Sequence, residues 1–131
     1  MTAKLDGTNG VIFPDGTTQS TAGVAPTSTQ LCKAWVNFNG VTSTSIRASY
    51  NVSSVTRNGT GDYTINFTNA LTDANYCAIG QRAYETGNTA GVNVQQSNLT
   101  SPTSSAWRFY TLSANNAGPV DSTYVEVSFF R

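Results

Sequence analysis

The sequence predicts an all-β protein: an antiparallel β-sandwich or barrel-like domain of about seven to eight strands, preceded by a short N-terminal β-hairpin or extended segment. Three observations predict it. The stretch Tyr50 to Phe67, Y-N-V-S-S-V-T-R-N-G-T-G-D-Y-T-I-N-F, has two alternating arms around Arg57-Asn58-Gly59-Thr60-Gly61. In its right arm Tyr63, Ile65 and Phe67 oppose Asp62, Thr64 and Asn66, the period of two that marks a strand with one buried face. Asn-Gly and a second Gly between the arms supply the positive φ values of a tight reversal, so the stretch reads as a hairpin. The second observation is composition: Thr, Ser, Asn and Gly dominate, with β-branched Thr foremost, which favours strands and turns over helices. The third is that no segment carries helical periodicity, while turn signals recur at roughly ten-residue spacing.

The elements follow in order. Gly10-Val11-Ile12-Phe13-Pro14-Asp15-Gly16-Thr17-Thr18-Gln19-Ser20-Thr21 reads as a short V-I-F strand, a P-D-G turn and a second short strand. A lone hairpin of this size is marginal in water. Val11, Ile12 and Phe13 therefore need a surface from copies around a symmetry axis or from another protein. Residues 22–31, A-G-V-A-P-T-S-T-Q-L, read as a linker, which divides the chain into an N-terminal segment, 1–31, and a body, 32–131. Lys33 to Phe38 alternates, Ala34, Val36 and Phe38 on one face and Lys33, Trp35 and Asn37 on the other. Aromatics on both faces assign Trp35, with Phe38, Tyr63 and Phe67, to the core or a subunit interface. Asn39-Gly40 is a turn. Ser45 to Thr56 reads as one strand with Ile46, Ala48, Tyr50 and Val52 inward. Ala70 to Asn75 is a turn or a single helical turn, and Tyr76 to Tyr84 a strand of small residues. An exposed loop covers 85–91, a short strand Val92 to Gln96, and a polar connection 98–105. Ala106 to Leu112 places Trp107 and Phe109 opposite Arg108 and Tyr110. After a loop over 113–119, Ser122 to Phe130 closes the chain with Val125, Val127 and Phe129 on one face.

Composition also excludes. Charged residues are 11% of the chain and the net charge is zero, so electrostatic capture of nucleic acid is not expected. No run of about eighteen apolar residues exists to span a membrane. The N-terminal M-T-A-K-L-D-G-T-N-G lacks the apolar core of a secretion signal. Sequons at Asn51, Asn58, Asn66 and Asn98 are what chance provides in so Asn-, Ser- and Thr-rich a chain. Cys32 and Cys77 read as small buried or half-buried thiols. With no histidine, there is no His-based metal site, Ser-His-Asp triad or Cys-His dyad.

Several words of the sequence resemble a known group. Lys33-Ala34-Trp35-Val36-Asn37-Phe38-Asn39-Gly40, then S-I-R-A-S-Y-N-V-S-S-V-T, then N-G-T-G-D-Y-T-I-N-F, resemble the C-terminal domain of tail fibres of tailed phages, cyanophages among them. G-V-I-F-P-D-G-T-T-Q-S-T-A is similar to a segment near the N-termini of phage fibres. The likeness covers Gly10 to Ala22 and about Lys33 to Gly80. It implies a viral, virion-located homotrimer made in the host cytoplasm. The virion anchor would be Val11, Ile12, Phe13, Pro14, Asp15 and Gly16, attaching to a tail or baseplate protein, and the C-terminal domain would face the host. The chain departs from longer fibres in lacking a shaft, whether heptads, collagen repeat or other extended repeat. It also lacks the His-x-His pair of an iron-threaded trimer axis. A structural virion decoration that touches no receptor therefore stays open as the alternative.

Sugar recognition needs flat aromatics for C–H faces and amides or carboxylates for hydroxyls. On that chemistry the candidate receptor-binding residues are Tyr84, Glu85, Asn88, Trp107, Tyr110, Asn115, Asn116 and Asp121, for a host-surface glycan or protein. Asp62, Asp73, Glu85, Asp121 and Glu126 could in principle supply an acid/base pair for glycan cleavage, but no two sit in a converging motif. No enzyme activity is expected. Asp121 with Asp73 would be the one calcium option, without a DxDxDG loop. No cofactor or metal is expected.

Overall fold

The structure, a computed structural model, describes residues 2, 4–6, 10–19, 31–83, 94–113 and 118–131. Its strands are β1 Lys4–Asp6, β2 Gly10–Ile12, β3 Thr18–Gln19, β4 Cys32–Asn39, β5 Ser45–Tyr50 and β6 Val52–Gly59, followed by β7 Asp62–Phe67, β8 Cys77–Ala83, β9 Val94–Gln96, β10 Ala106–Thr111 and β11 Tyr124–Phe130. Among the described residues there is no helix. Strands β1-β2-β3 make a small sheet, and the body is two four-stranded sheets, β5-β4-β11-β8 and β6-β7-β10-β9. Every pairing is antiparallel.

The alternation of apolar residues decides which faces meet. Ala34, Val36 and Phe38 of β4 and Val125, Val127 and Phe129 of β11 are buried on one sheet. Tyr63, Ile65 and Phe67 of β7 and Trp107 and Phe109 of β10 are buried on the other. The two sets form one core. Phe38 meets Tyr63 edge-on at 5.2 Å between ring centres, and Phe67 and Trp107 meet Phe129 at 4.9 and 5.4 Å. Trp107 stacks on Phe109 within its own strand, 4.8 Å apart and 13° from parallel. Such aromatic pairs add to the stabilisation that their buried area brings.

Ser45 to Thr56 is not one strand. Asn51 adopts a left-handed φ of 55°, a conformation Asn tolerates better than most residues. Its side-chain amide donates to the carbonyls of Lys33 and Asn69, and its Oδ1 accepts from the Asn69 N–H. The chain turns there from β5 in one sheet to β6 in the other. Within β5, an extra residue between Ile46, paired with Phe38, and Ala48, paired with Asn37, shifts the phase, so Ala48 and Tyr50 face outward, Tyr50 being 57% exposed. Ile46 is only partly buried against the core, and Val52 alone is fully inward. An irregularity between Val52 and Ser54 then shifts the phase, so that Val52 and Val55, three apart, are both buried; an extra residue in one strand has this effect.

The hairpin is present, with a tighter turn than the sequence suggested. Asn58 and Gly59 belong to β6, Gly59 pairs with Asp62, and the loop is Thr60-Gly61. Only Gly61 takes the left-handed conformation there, at φ 62°, and a Cβ on it would run into the backbone of Val120 and Thr111. No helical turn forms over Ala70 to Asn75; Asp73 Oδ1 instead accepts from the Asn75 N–H. The N-terminal hairpin gains a third strand, β1, that the sequence reading did not include. Phe13 leaves β2 and closes the turn, its N–H donating to Thr17 O and its carbonyl accepting from Gly16 N–H. Cys32 and Cys77 pair with Phe130 from its two sides, two strands apart. Both thiols are free, Cys32 half-buried and Cys77 exposed rather than buried. Residues 22–30 of the linker, the loop over 85–91 and the start of the strand read from Val92 lie outside the described residues.

Phe109 is fully buried between Phe38, Tyr63 and Trp107. Phe109→Ala should therefore cost about 3–5 kcal/mol, read as a lower midpoint in urea at unchanged slope.

Candidate functional site

The inward alternation of β4 and β11 dictates what their sheet shows to solvent. With Ala34, Val36 and Phe38 inside, Trp35 and Asn37 are outside; with Val125, Val127 and Phe129 inside, Glu126 and Ser128 are outside. Pairing aligns these residues in rows across the sheet. Trp35 lies opposite Tyr50 on one side and Ser128 on the other, and Ser128 lies opposite Ile79. The next row is Ala48, Asn37, Glu126 and Gln81. The first row is exposed and largely apolar, with Trp35 37% and Ile79 60% accessible. The second is polar and internally bonded. Asn37 Nδ2 donates to Glu126 Oε1 at 2.8 Å, and Gln81 Nε2 to Glu126 Oε2 at 2.5 Å. Arg47 reaches Asn37 Oδ1 at 3.4 Å, and its guanidinium carbon sits 4.2 Å over the centre of the Tyr124 ring.

Between the rows lies a shallow hollow of about 250 Å³, lined by Trp35, Asn37, Glu126 and Ser128 over the backbone of Val36 and Val127. A second hollow, about 290 Å³, lies at Tyr50, Asn51, Thr68 and Asn69. The Trp35–Tyr50 pair stands at the border of both. Indole and phenol faces beside an ordered amide–carboxylate–amide row offer what a polyhydroxylated ligand needs, a flat apolar platform and oriented hydrogen-bonding groups.

Trp35 is thus not core but the centre of the outer face, while Phe38, Tyr63 and Phe67 are core. Trp107 is 4% exposed; its stacking on Phe109 removes it as a surface platform. Tyr110 is half-buried on the opposite sheet, across from Asp62. Tyr84, Glu85, Asn88, Asn115 and Asn116 lie outside the described residues. In the N-terminal sheet Val11 and Ile12 are half-buried and Phe13 is 41% exposed. Pro14, Asp15 and Gly16 form the turn, where Asp15 accepts from the N–H and hydroxyl of Thr17 and is held below its ordinary pKa by them.

Asp121 is a structural pin. Arg57 grips it with both Nε and Nη2, at 3.2 and 2.7 Å. The Gly61 N–H and the Tyr63 hydroxyl donate to its Oδ1 at 2.8 and 2.7 Å. The Gly40 carbonyl lies 2.9 Å from the same hydroxyl. The remaining paired carboxylates are similarly engaged, Asp62 by Arg108 and Asp73 by Arg131. Asp73 sits at the Arg131 end of the sheets and Asp121 at the Gly40 end, so they are not neighbours and do not form the calcium option. Among the described residues no three His, Cys, Asp or Glu side chains gather as metal ligands. Of the outer face, Tyr50, Ile79, Gln81 and Ser128 were missed by sequence reasoning and Glu126 was considered only as an acid/base carboxylate; they carried only their alternation as a signal, and the strand order that aligns them is not written in any one segment.

Comparison with models of protein families, with curated proteins and with solved structures found no match to this chain.

Burial acts to raise the Asp121 pKa, but the bonds from Arg57, Gly61 and Tyr63 outweigh it and hold the carboxyl below its ordinary value. A depressed folded pKa contributes stability that is complete above the unfolded value of about 3.9 and is lost as pH falls through the folded one. Asp121→Asn should therefore be less stable than the parent near neutral pH, with the gap narrowing below about pH 4, as read by thermal melts across pH.

Proposed function

We propose that this chain is a bacteriophage tail-fibre protein. In this reading three copies form a homotrimer of eight-stranded β-sandwich bodies, held to the tail or baseplate through residues 1–31. The outer face around Trp35 recognises the host surface, through glycan. The observation that carries the recognition is the exposed Trp35–Tyr50 pair beside the Asn37–Glu126–Gln81 row. The sequence words resembling tail-fibre domains support the virion assignment. So does a chain in which charged residues are only 11% and polarity comes from hydroxyls and amides. Such a surface limits nonspecific electrostatic sticking. Individual sugar contacts are weak, and three copies on one fibre multiply their effect through a high local concentration. The exposed Phe13 at the end of the central strand β2, next to the half-buried Val11 and Ile12, gives the N-terminal sheet an apolar side chain suited to docking on a tail component.

Purified protein should bind host cells and block phage adsorption, and Trp35→Ala should abolish both while the melting temperature and trimeric mass by light scattering are unchanged. A folded trimer that neither binds nor blocks overturns the receptor role and favours a reinforcing decoration. Phe13→Asp should prevent incorporation into particles and leave the body folded; incorporation at the parental level would refute the anchor assignment.

A further inference from the structure

Resting on the recognition reading above, we propose that the hollow between Trp35 and Glu126 binds a single uncharged pyranose ring, with the apolar ring face on the indole and two adjacent hydroxyls on the Glu126 carboxylate. Ser128 is opposite Trp35 and Glu126 is opposite Asn37, so Trp35 and Glu126 are diagonal neighbours on one face. Such diagonal positions are about 7–8 Å apart, close enough for a ring laid on the indole to reach the carboxylate. The hollow's volume, about 250 Å³, falls below the roughly 300–1,000 Å³ of sites for drug-sized ligands.

The carboxylate is already aimed. Each of its oxygens receives one amide N–H, from Asn37 and from Gln81, and each keeps a further lone pair. Two oxygens on one planar group, each with one acceptor position left, match two neighbouring O–H donors. Ser128, between Trp35 and Ile79 in the exposed row, adds a hydroxyl that donates or accepts beside the ring.

Charge selects against an acidic sugar. Among the described residues, Glu126 is the only charged side chain lining the hollow. An anion placed on the free lone pairs of Glu126 would meet a like charge. Polar satisfaction likewise selects against an apolar protein surface covering this face. A flat apolar partner would bury the open acceptor positions of Glu126 without donors, at a cost comparable to lost hydrogen bonds. Sugar hydroxyls supply those donors.

The test uses the full-length protein and tryptophan fluorescence. Only two tryptophans are present, and Trp107 is buried, so a ligand on the outer face reports through Trp35. The probes are neutral oligosaccharides of glucose, mannose, galactose and N-acetylglucosamine, with uronic-acid and sialic-acid oligosaccharides alongside. At least one neutral probe should shift the emission, with affinity insensitive to salt. Glu126→Gln should weaken it about tenfold or more, and a deoxy analogue lacking one hydroxyl of the bound diol should bind the parent as weakly as the complete sugar binds the variant. Thermal melts verify that each variant is folded. Preference for the acidic probes, a Glu126→Gln variant with parental affinity, or no response to any probe overturns the proposal. If cell binding still depends on Trp35 in that case, the receptor reading stands and only the pyranose assignment falls. If cell binding survives Trp35→Ala while the neutral sugar still depends on Glu126, the receptor reading falls and the sugar site stands. A change in trimeric mass on Trp35→Ala would mark the face as a subunit contact and overturn the sugar site.

Discussion

Tyr63 ties the two sheets together from both of its ends. Its ring lies in the core against Phe38 of the facing sheet and Phe109 of its own, while its hydroxyl leaves the core to meet Asp121. Burial, then the neighbouring Asp121 carboxylate, push its pKa well above the ordinary phenol value, so it stays a neutral donor. The same carboxylate gathers Arg57 from β6 and the Gly61 turn, and the Tyr63 hydroxyl brings Gly40, just past β4, into the cluster. Gly40 is required by proximity, since a Cβ there would overlap the Tyr63 hydroxyl. One side chain thus couples apolar packing to a charge-assisted network, in which bonds to an ionised group are about twice as strong as neutral ones. Alignment of the two sheets, and with it the outer face, depends on that coupling.

The same architecture divides the surface by chemistry. On the outer side of β6 and β7, Asn66 bonds to Ser54 and Thr56, and Asn58 bonds to Asp62 and Thr64. That side spends its polar groups on itself, a ladder of short side chains with Arg108 locked on Asp62. On the other sheet the large exposed side chains Trp35, Tyr50, Ile79 and Tyr124 are gathered. The asymmetry leaves the large exposed side chains on one side of the body and a self-bonded polar ladder on the other.

Inner faces were legible wherever a strand kept strict alternation: Lys33 to Phe38, Tyr63 to Phe67 and Val125 to Phe129 read correctly because one misplaced residue would bury a polar side chain. The reading failed at Asn51, whose left-handed backbone splits an apparently continuous strand, and at the irregularity in β6 that brings Val55 inward. Neither leaves a trace in apolar periodicity. Trp107 looked like a surface aromatic because a half-apolar strand does not say which of its faces is covered. Asp121 looked available because its partner Arg57 is 64 residues away. The outer-face rows needed the order β5-β4-β11-β8, in which β4 and β11 come from opposite ends of the body.

That pairing also has a mechanical meaning. Cys32 and Phe130 are partners, so the body's first and last strands begin and finish side by side. A pull applied between Cys32 and Trp35 crosses only three residues of β4, roughly 10 Å at strand rise. The load acts along a central strand flanked on both sides, where ladder bonds must break together in shear instead of peeling open one after another. A load applied along β4 is therefore met by ladder bonds to β5 and β11 on its two sides without passing through the core.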